Sequence, residues 1–312
     1  MKVFLTGSTG AIGKHLVPML IEAGHEVVAQ VRSADRGREI EAAGATAAIV
    51  DPLDRNALTD AIRRAEPEVL INQLTSLSRL RGFRNMDRDF ALTNRFRTEV
   101  NDAMIEAGRA VGAKRFIAQS FCGWPSAPTG NRLTTEEDPI VPDLPSKARQ
   151  TLEAIRHLEK SIRETTDLHA MALRYGIFYG PGTGFSRDSE TIDFIRKGMM
   201  PIVGDGGGVW SFIHIEDAAR ATVAAVTRGA PGLYNIVDDE PAPVAEWLPA
   251  LAAAVGGKPP RRFPVFLGKL VLGEMGVHMM TSIHGGSNAK AKRELGWQPE
   301  FASWRRGFAE GL

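Results

Sequence analysis

The chain has 312 residues, with 38 Lys and Arg against 37 Asp and Glu for a formal net charge of +1, and it is 43% hydrophobic and 24% charged. That length allows one large α/β unit or a main domain with a smaller lobe, and the near-neutral balance gives no broad basic surface for nucleic acid or an anionic membrane. The single cysteine, Cys122, excludes an internal disulfide and suits a reducing compartment. No apolar run reaches the roughly 18 residues of a membrane span. Met1 and Lys2 lead straight into VFLTG, with no room for a signal peptide. A soluble, cytoplasmic protein is expected.

In chain order, short apolar runs predict strands at residues 3–5, 26–31, 47–50, 69–72, 115–120 and 170–174. Helical patterns lie between them, the clearest at 12–23, where Ile12, Leu16 and Leu20 recur every fourth residue before Gly24. Strands alternating with helices imply a parallel sheet covered on both faces, the doubly wound α/β (Rossmann) fold, whose ligands sit at the carboxyl ends of the strands. After about residue 180, Gly, Pro and loops become dense, as expected of a smaller lobe. The predicted division is a dinucleotide-binding domain at 1–178 plus about 209–237, and a substrate-binding lobe at 179–208 and 238–312. WSFIHIEDAARATVAAV and GLYNIV are both expected to return to the main sheet.

The stretch LTGSTGAIG at residues 5–13 closes the first strand and opens the first helix. Gly7 permits a tight turn, Gly10 lets the backbone approach a pyrophosphate, and Gly13 lets helix pack against strand. Thr9, Ala11 and Ile12 complete the loop, and the phosphates would meet free N–H groups at the helix start. At the end of the second strand, where an acidic residue would favour NAD, stands Arg32, followed by Ser33 and Arg36. A guanidinium there pairs with a 2′-phosphate and favours NADP(H) over NAD(H). Asp51 is either an acceptor for the adenine amino group or a helix N-cap, and Leu53 is counted with it among the cofactor-binding residues. Gln73 and Leu74 follow the fourth strand, along the ribose and nicotinamide path.

These segments resemble the NAD-dependent epimerase/dehydratase family, the extended short-chain dehydrogenase/reductases. TGSTGAIG matches TGxxGxxG, RFIAQSFCGW is similar to the strand that carries the family's catalytic serine, LRYGIFYGPG resembles LRYxxxYGPG, and VWSFIHIEDAARA resembles DFVHVDDxARA. GLYNIVDDEPAPVAEW and AKAKRELGWQPEF match later segments of the family in order. The resemblance implies a Tyr-x-x-x-Lys pair on the helix after the serine strand, with tyrosine as proton donor, lysine binding the ribose and serine polarising a carbonyl. Here Thr151 falls in the tyrosine slot and Ile155 in the lysine slot, judged from Glu159. The three tyrosines, Tyr175, Tyr179 and Tyr234, are followed four residues later by Tyr179, Thr183 and Asp238, so the pair occurs nowhere.

Ser120 keeps the serine slot, and Tyr175 is the leading substitute proton donor, with Lys147, Cys122 and water behind it. His214 is read as a structural histidine that orients Asp217. His278 and His284 lack metal-ligand spacing, and no metal is expected. Val209-Trp210-Ser211 stands where the family often places an arginine for a sugar diphosphate, which argues against a nucleotide-sugar substrate. The Pro-rich stretch 126–145 reads as a long loop bordering the substrate. The expected activity is an atypical NADP(H)-dependent oxidoreductase for a small carbonyl or alcohol. A non-redox isomerase or epimerase with bound cofactor and a catalytically silent NADP(H)-sensing protein remain open, as do monomer and homodimer.

Overall fold

The computed structural model describes residues 1–77, 84–127 and 133–312; the centre of the predicted loop 126–145 lies outside the described residues. Seven parallel strands form the main sheet: β1 (Lys2–Thr6), β2 (Glu26–Val31), β3 (Thr46–Ile49), β4 (Val69–Asn72), β5 (Arg115–Phe121), β6 (His169–Tyr175) and β7 (Gly232–Ile236). Their spatial order is β7-β6-β5-β4-β1-β2-β3. The chain runs outward from β1 in both directions, so a crevice opens at the carboxyl ends of β1 and β4, where the winding reverses. The doubly wound α/β expectation holds.

Strand alternation distributes the core between two faces. Val3 and Leu5 join one cluster with Leu16 and Leu20 of α1 (Ala11–Glu22) and with Ala218, Ala221 and Ala225 of a later helix, Ile215–Thr227. Phe4, Leu70 and Phe116 face the other way, onto Ile62 of α3 (Arg55–Ala65), Met104 of α4 (Asn101–Val111), and Leu158 and Ile162 of α5 (Arg149–Glu164). Between α1 and α3 runs α2 (Ala34–Ala42), and Ile215–Thr227 is α6.

A third cluster gathers around Trp210, Phe212, Trp247, Trp304 and Phe308, joined by Leu152 and Ile155 of α5. One expectation is corrected here. GLYNI enters the main sheet as β7, but Phe212–His214 pairs in parallel with Ile177–Tyr179 in a separate two-stranded sheet. The break lies at Gly176, where a Cβ would come within 2.8 Å of the Ser211 carbonyl. That close approach lets the chain leave β6 and form a new pair. Among the described residues no helix is long and apolar enough to cross a membrane.

Candidate active site

The glycine loop is shaped by backbone contact. Gly7 has φ +80°, and a Cβ on it would lie 2.6 Å from the Gln73 carbonyl group; one on Gly13 would lie 2.3 Å from the Gly7 oxygen. Both positions therefore exclude side chains. Gly10 is the N-cap of α1 and provides no side-chain bond, so the N–H groups of Ala11, Ile12 and Gly13 meet no cap. Thr9 and Ala11 are half-buried, whereas Ile12 is in the core and contributes only its backbone. An uncapped twelve-residue helix behind a turn that excludes side chains at Gly7 and Gly13 fits a pyrophosphate.

Residues that the sequence reading passed over hold this crevice in shape. Ser8 Oγ donates to the Gln30 carbonyl at 2.9 Å, and Gln30 Nε2 donates to the Val50 carbonyl at 2.7 Å, which ties the exits of β1, β2 and β3 together. Asn72 Oδ1 accepts from Thr6 Oγ1 and from the Leu74 N–H, fixing the turn after β4. Arg32 stands exposed just beyond β2 with no partner among the described residues, while Arg36 pairs with Glu39. Asp51 is exposed and accepts the Leu53 N–H at 3.0 Å. The N-cap alternative for Asp51 is thereby corrected: the cap of α3 is Asp54, whose carboxylate accepts the Ala57 N–H.

At the other end of the crevice Ser120 is 1% exposed, and its hydroxyl donates to Glu159 Oε1 at 3.1 Å. The same carboxylate receives Arg174 Nε at 2.6 Å and Nη2 at 2.5 Å. Ser120, Arg174 and Asn235 are in register across β5, β6 and β7. Glu159 closes over the row from α5, and both it and Arg174 have only 1% side-chain exposure. Glu136 adds a second buried carboxyl, accepting the Asn235 N–H at 2.7 Å, with its pKa raised by burial. An arginine inside an apolar strand needs a buried carboxylate partner; that was the signal in LRYG for Glu159.

Thr151 and Ile155 are both fully buried. The Thr151 hydroxyl donates to Asp87 Oδ1 at 2.9 Å and accepts from Asn94 Nδ2 at 3.1 Å. Two of the predicted proton donors, Tyr175 and Cys122, are buried in the interior. Tyr175 is 1% exposed, accepts from Gln73 Nε2 at 2.9 Å, and meets Thr222 Oγ1 at 2.7 Å. Since Thr222 donates its own proton to the Ala218 carbonyl, the tyrosine proton points at Thr222. Burial raises its pKa well above that of a free tyrosine. Tyr175 is therefore an interior fastener between β6 and α6, which corrects its reading as the donor. Gln73 is likewise turned inward, leaving its backbone and Leu74 at the crevice. The Cys122 thiol is pushed up to about 12 by burial, and Lys147 is exposed.

His214 caps α6 and shares its Nε2 with the Gly311 carbonyl. It does not hold Asp217, which accepts from Arg220 and from the N–H groups of Glu300 and Phe301.

Comparison with known proteins agrees with this fold. The model of the NAD dependent epimerase/dehydratase family matches residues 3–237. A 3-diazoavenalumate denitrifying reductase of a Streptomyces species is 41% identical over 308 residues, covering 98% of this chain and 99% of its own. A 2-alkyl-3-oxoalkanoate reductase of Stenotrophomonas maltophilia is 28% identical, over 82% of this chain and 76% of its own. Among solved structures, UDP-glucose 4-epimerase of Thermotoga maritima with UDP-glucose superimposes with a TM-score of 0.77 at 21% identity, covering 99% of this chain and 96% of that one. A human epimerase family protein with NADPH gives 0.76 at 19% identity, over 99% and 98%. The chain belongs to the NAD dependent epimerase/dehydratase family and is an enzyme of the short-chain dehydrogenase/reductase type.

Proposed function

We propose that this protein is an NADP(H)-dependent reductase whose substrate accepts hydride without needing a proton from the enzyme, a diazo compound in its diazonium form. The observation that carries the reading is the fate of the hydroxyl protons. Ser120 donates to Glu159 and Thr151 to Asp87, so both hydroxyls in the family's catalytic slots are committed to carboxylates. Tyr175 donates to Thr222 inside the core.

A bound reduced nicotinamide dinucleotide supplies hydride and leaves as the oxidised cofactor. Reduction of a carbonyl would then demand a proton on the developing alkoxide. Reduction of a diazonium carbon does not: the hydride pair forms the new C–H bond, the C–N pair departs on dinitrogen, and the charges cancel. Ile155 in the lysine slot suits the same substrate, because an ammonium there would repel a diazonium cation. Ser120, with its proton held by Glu159, offers no donor to a substrate oxygen. The 41% identical relative, named for denitrifying reduction of a diazo carboxylate, supports the assignment.

Around the cofactor, the N–H groups of Ala11–Gly13 would receive the pyrophosphate. Arg32 would receive the 2′-phosphate, Asp51 and Leu53 would flank the adenine, and the backbone at Gln73 and Leu74 would line the path to the nicotinamide. The test supplies NADPH with 3-diazoavenalumate and, separately, with an aromatic aldehyde, while following absorbance and evolved N2. One N2 per NADPH oxidised, with little turnover of the aldehyde, is expected. NADPH oxidation with the aldehyde and none with the diazo compound would refute the reading.

A further inference from the structure

Before α4 begins, the helical run Ala91–Arg95 passes through a π-helical turn, Phe96–Val100. Such turns insert one residue into the helix, re-aim the side chains around it, and recur at functional sites. Arg97 lies in this one and is only 5% exposed. Its Nη1 makes a single long bond to Asn94 Oδ1 at 3.5 Å, and its guanidinium lies 5.8 Å from the centre of the Phe90 ring. No carboxylate pairs with it among the described residues.

Its location is specific. Asn94, its one polar partner among the described residues, donates to Thr151 in the slot of the family's tyrosine. Glu159 is the carboxylate that favours its charge, but Glu159 is already held by Ser120 and by two N–H groups of Arg174. Asp87 is likewise occupied, by the Thr151 hydroxyl and the N–H groups of Gln150 and Thr151. Burial lowers the Arg97 pKa to about 10, which leaves it charged at neutral pH. A buried cation without a counterion is costly. An arriving anion removes that cost, and a guanidinium meets a carboxylate through two parallel bonds.

We propose that Arg97 is the anion-binding residue of the active site, receiving a carboxylate of the substrate beside Thr151 and Ser120. Its charge enters from the helical run facing α5 and not from the lysine slot, which Ile155 keeps uncharged. The inference deepens the proposed reductase reading, on which it rests for the owner of the carboxylate. The substrate class is thereby narrowed to diazo compounds carrying a carboxylate at some distance from the reacting carbon.

The test needs no turnover. Cinnamate and its neutral analogue cinnamamide are titrated calorimetrically into the protein in the presence of NADP+, for wild type, Arg97→Met and Arg97→Gln. Cinnamate should bind wild type more tightly than cinnamamide, and both variants should lose about tenfold or more of the cinnamate affinity while keeping that for cinnamamide. The wild-type comparison stands even if a variant does not fold. Equal binding of the two probes, no cinnamate binding at all, or a folded variant that binds cinnamate like wild type would overturn the proposal. Failure of N2 release in the turnover experiment would instead remove the reductase reading and leave the anion site standing.

Discussion

The Ser120 hydroxyl donates to Glu159 Oε1 at 3.1 Å, from strand β5 to helix α5, and Arg174 holds that carboxylate from the neighbouring strand. A serine in this position is expected to donate towards a substrate oxygen. Here it donates inward, and the first consequence concerns its removal. Ser120→Ala should lower kcat/KM for a diazo substrate by less than about tenfold, whereas loss of an oxyanion donor costs about 10²–10³. Steady-state kinetics with 3-diazoavenalumate distinguish the two.

Glu159 predicts a change in stability. Glu159→Ala leaves the Arg174 guanidinium buried without its partner, and a broken buried pair costs about 3–5 kcal/mol. The double variant Glu159→Met with Arg174→Met should recover much of that loss, because an apolar pair of similar size leaves no stranded charge. Urea unfolding of the three proteins measures it. A single variant as stable as wild type would show that the pair contributes nothing.

Asp238 predicts a pH dependence. It is 1% exposed, Oδ1 accepts the Glu240 N–H, and Oδ2 has no hydrogen-bond partner among the described residues. Burial, helped by the adjacent Asp239 and Glu240, holds its pKa well above the ordinary value of 3.8. The folded chain keeps a proton that the unfolded chain has released. Stability is therefore full below the unfolded value and falls as pH rises towards and through the folded one. Glu136, raised by burial, acts in the same direction. Asp238→Asn should flatten the decline in the urea midpoint as pH rises above the unfolded carboxylate value. Parallel slopes for the two proteins would count against it.

The proposed preference for NADP(H) is tested at Arg32. Its guanidinium is exposed beyond β2 and has no protein partner among the described residues, so its binding capacity remains for a phosphate. Arg32→Ala should weaken NADPH by about 10- to 100-fold and leave NADH nearly unchanged, as expected for a lost charge-assisted pair. Titration of nicotinamide fluorescence with both cofactors reads this directly. A loss equal for NADPH and NADH would assign Arg32 to the common part of the cofactor.

Much of the architecture was legible in the residues. Alternating apolar strands and the four-residue spacing of Ile12, Leu16 and Leu20 specify a parallel sheet with helices on both faces, because burial follows the period of the backbone. Gly7 and Gly13 specify their turn through the space a Cβ would need. These are local constraints, settled within a few residues along the chain.

The direction of each hydroxyl proton is not local. Ser120 meets a carboxylate 39 residues away, and Tyr175 meets Gln73 and Thr222, 102 and 47 residues distant. Only the packed fold brings those partners within hydrogen-bond range. The same holds for Phe212–His214, whose apolar pattern suits either sheet and whose pairing is decided by the backbone approach at Gly176. In Arg97 the sequence shows one more charge on a helix, and the tertiary structure decides that it is buried without a counterion among the described residues. The chain thus determined its fold and cofactor crevice through short-range geometry, while burial and long-range hydrogen bonding decided which groups in that crevice are free to act.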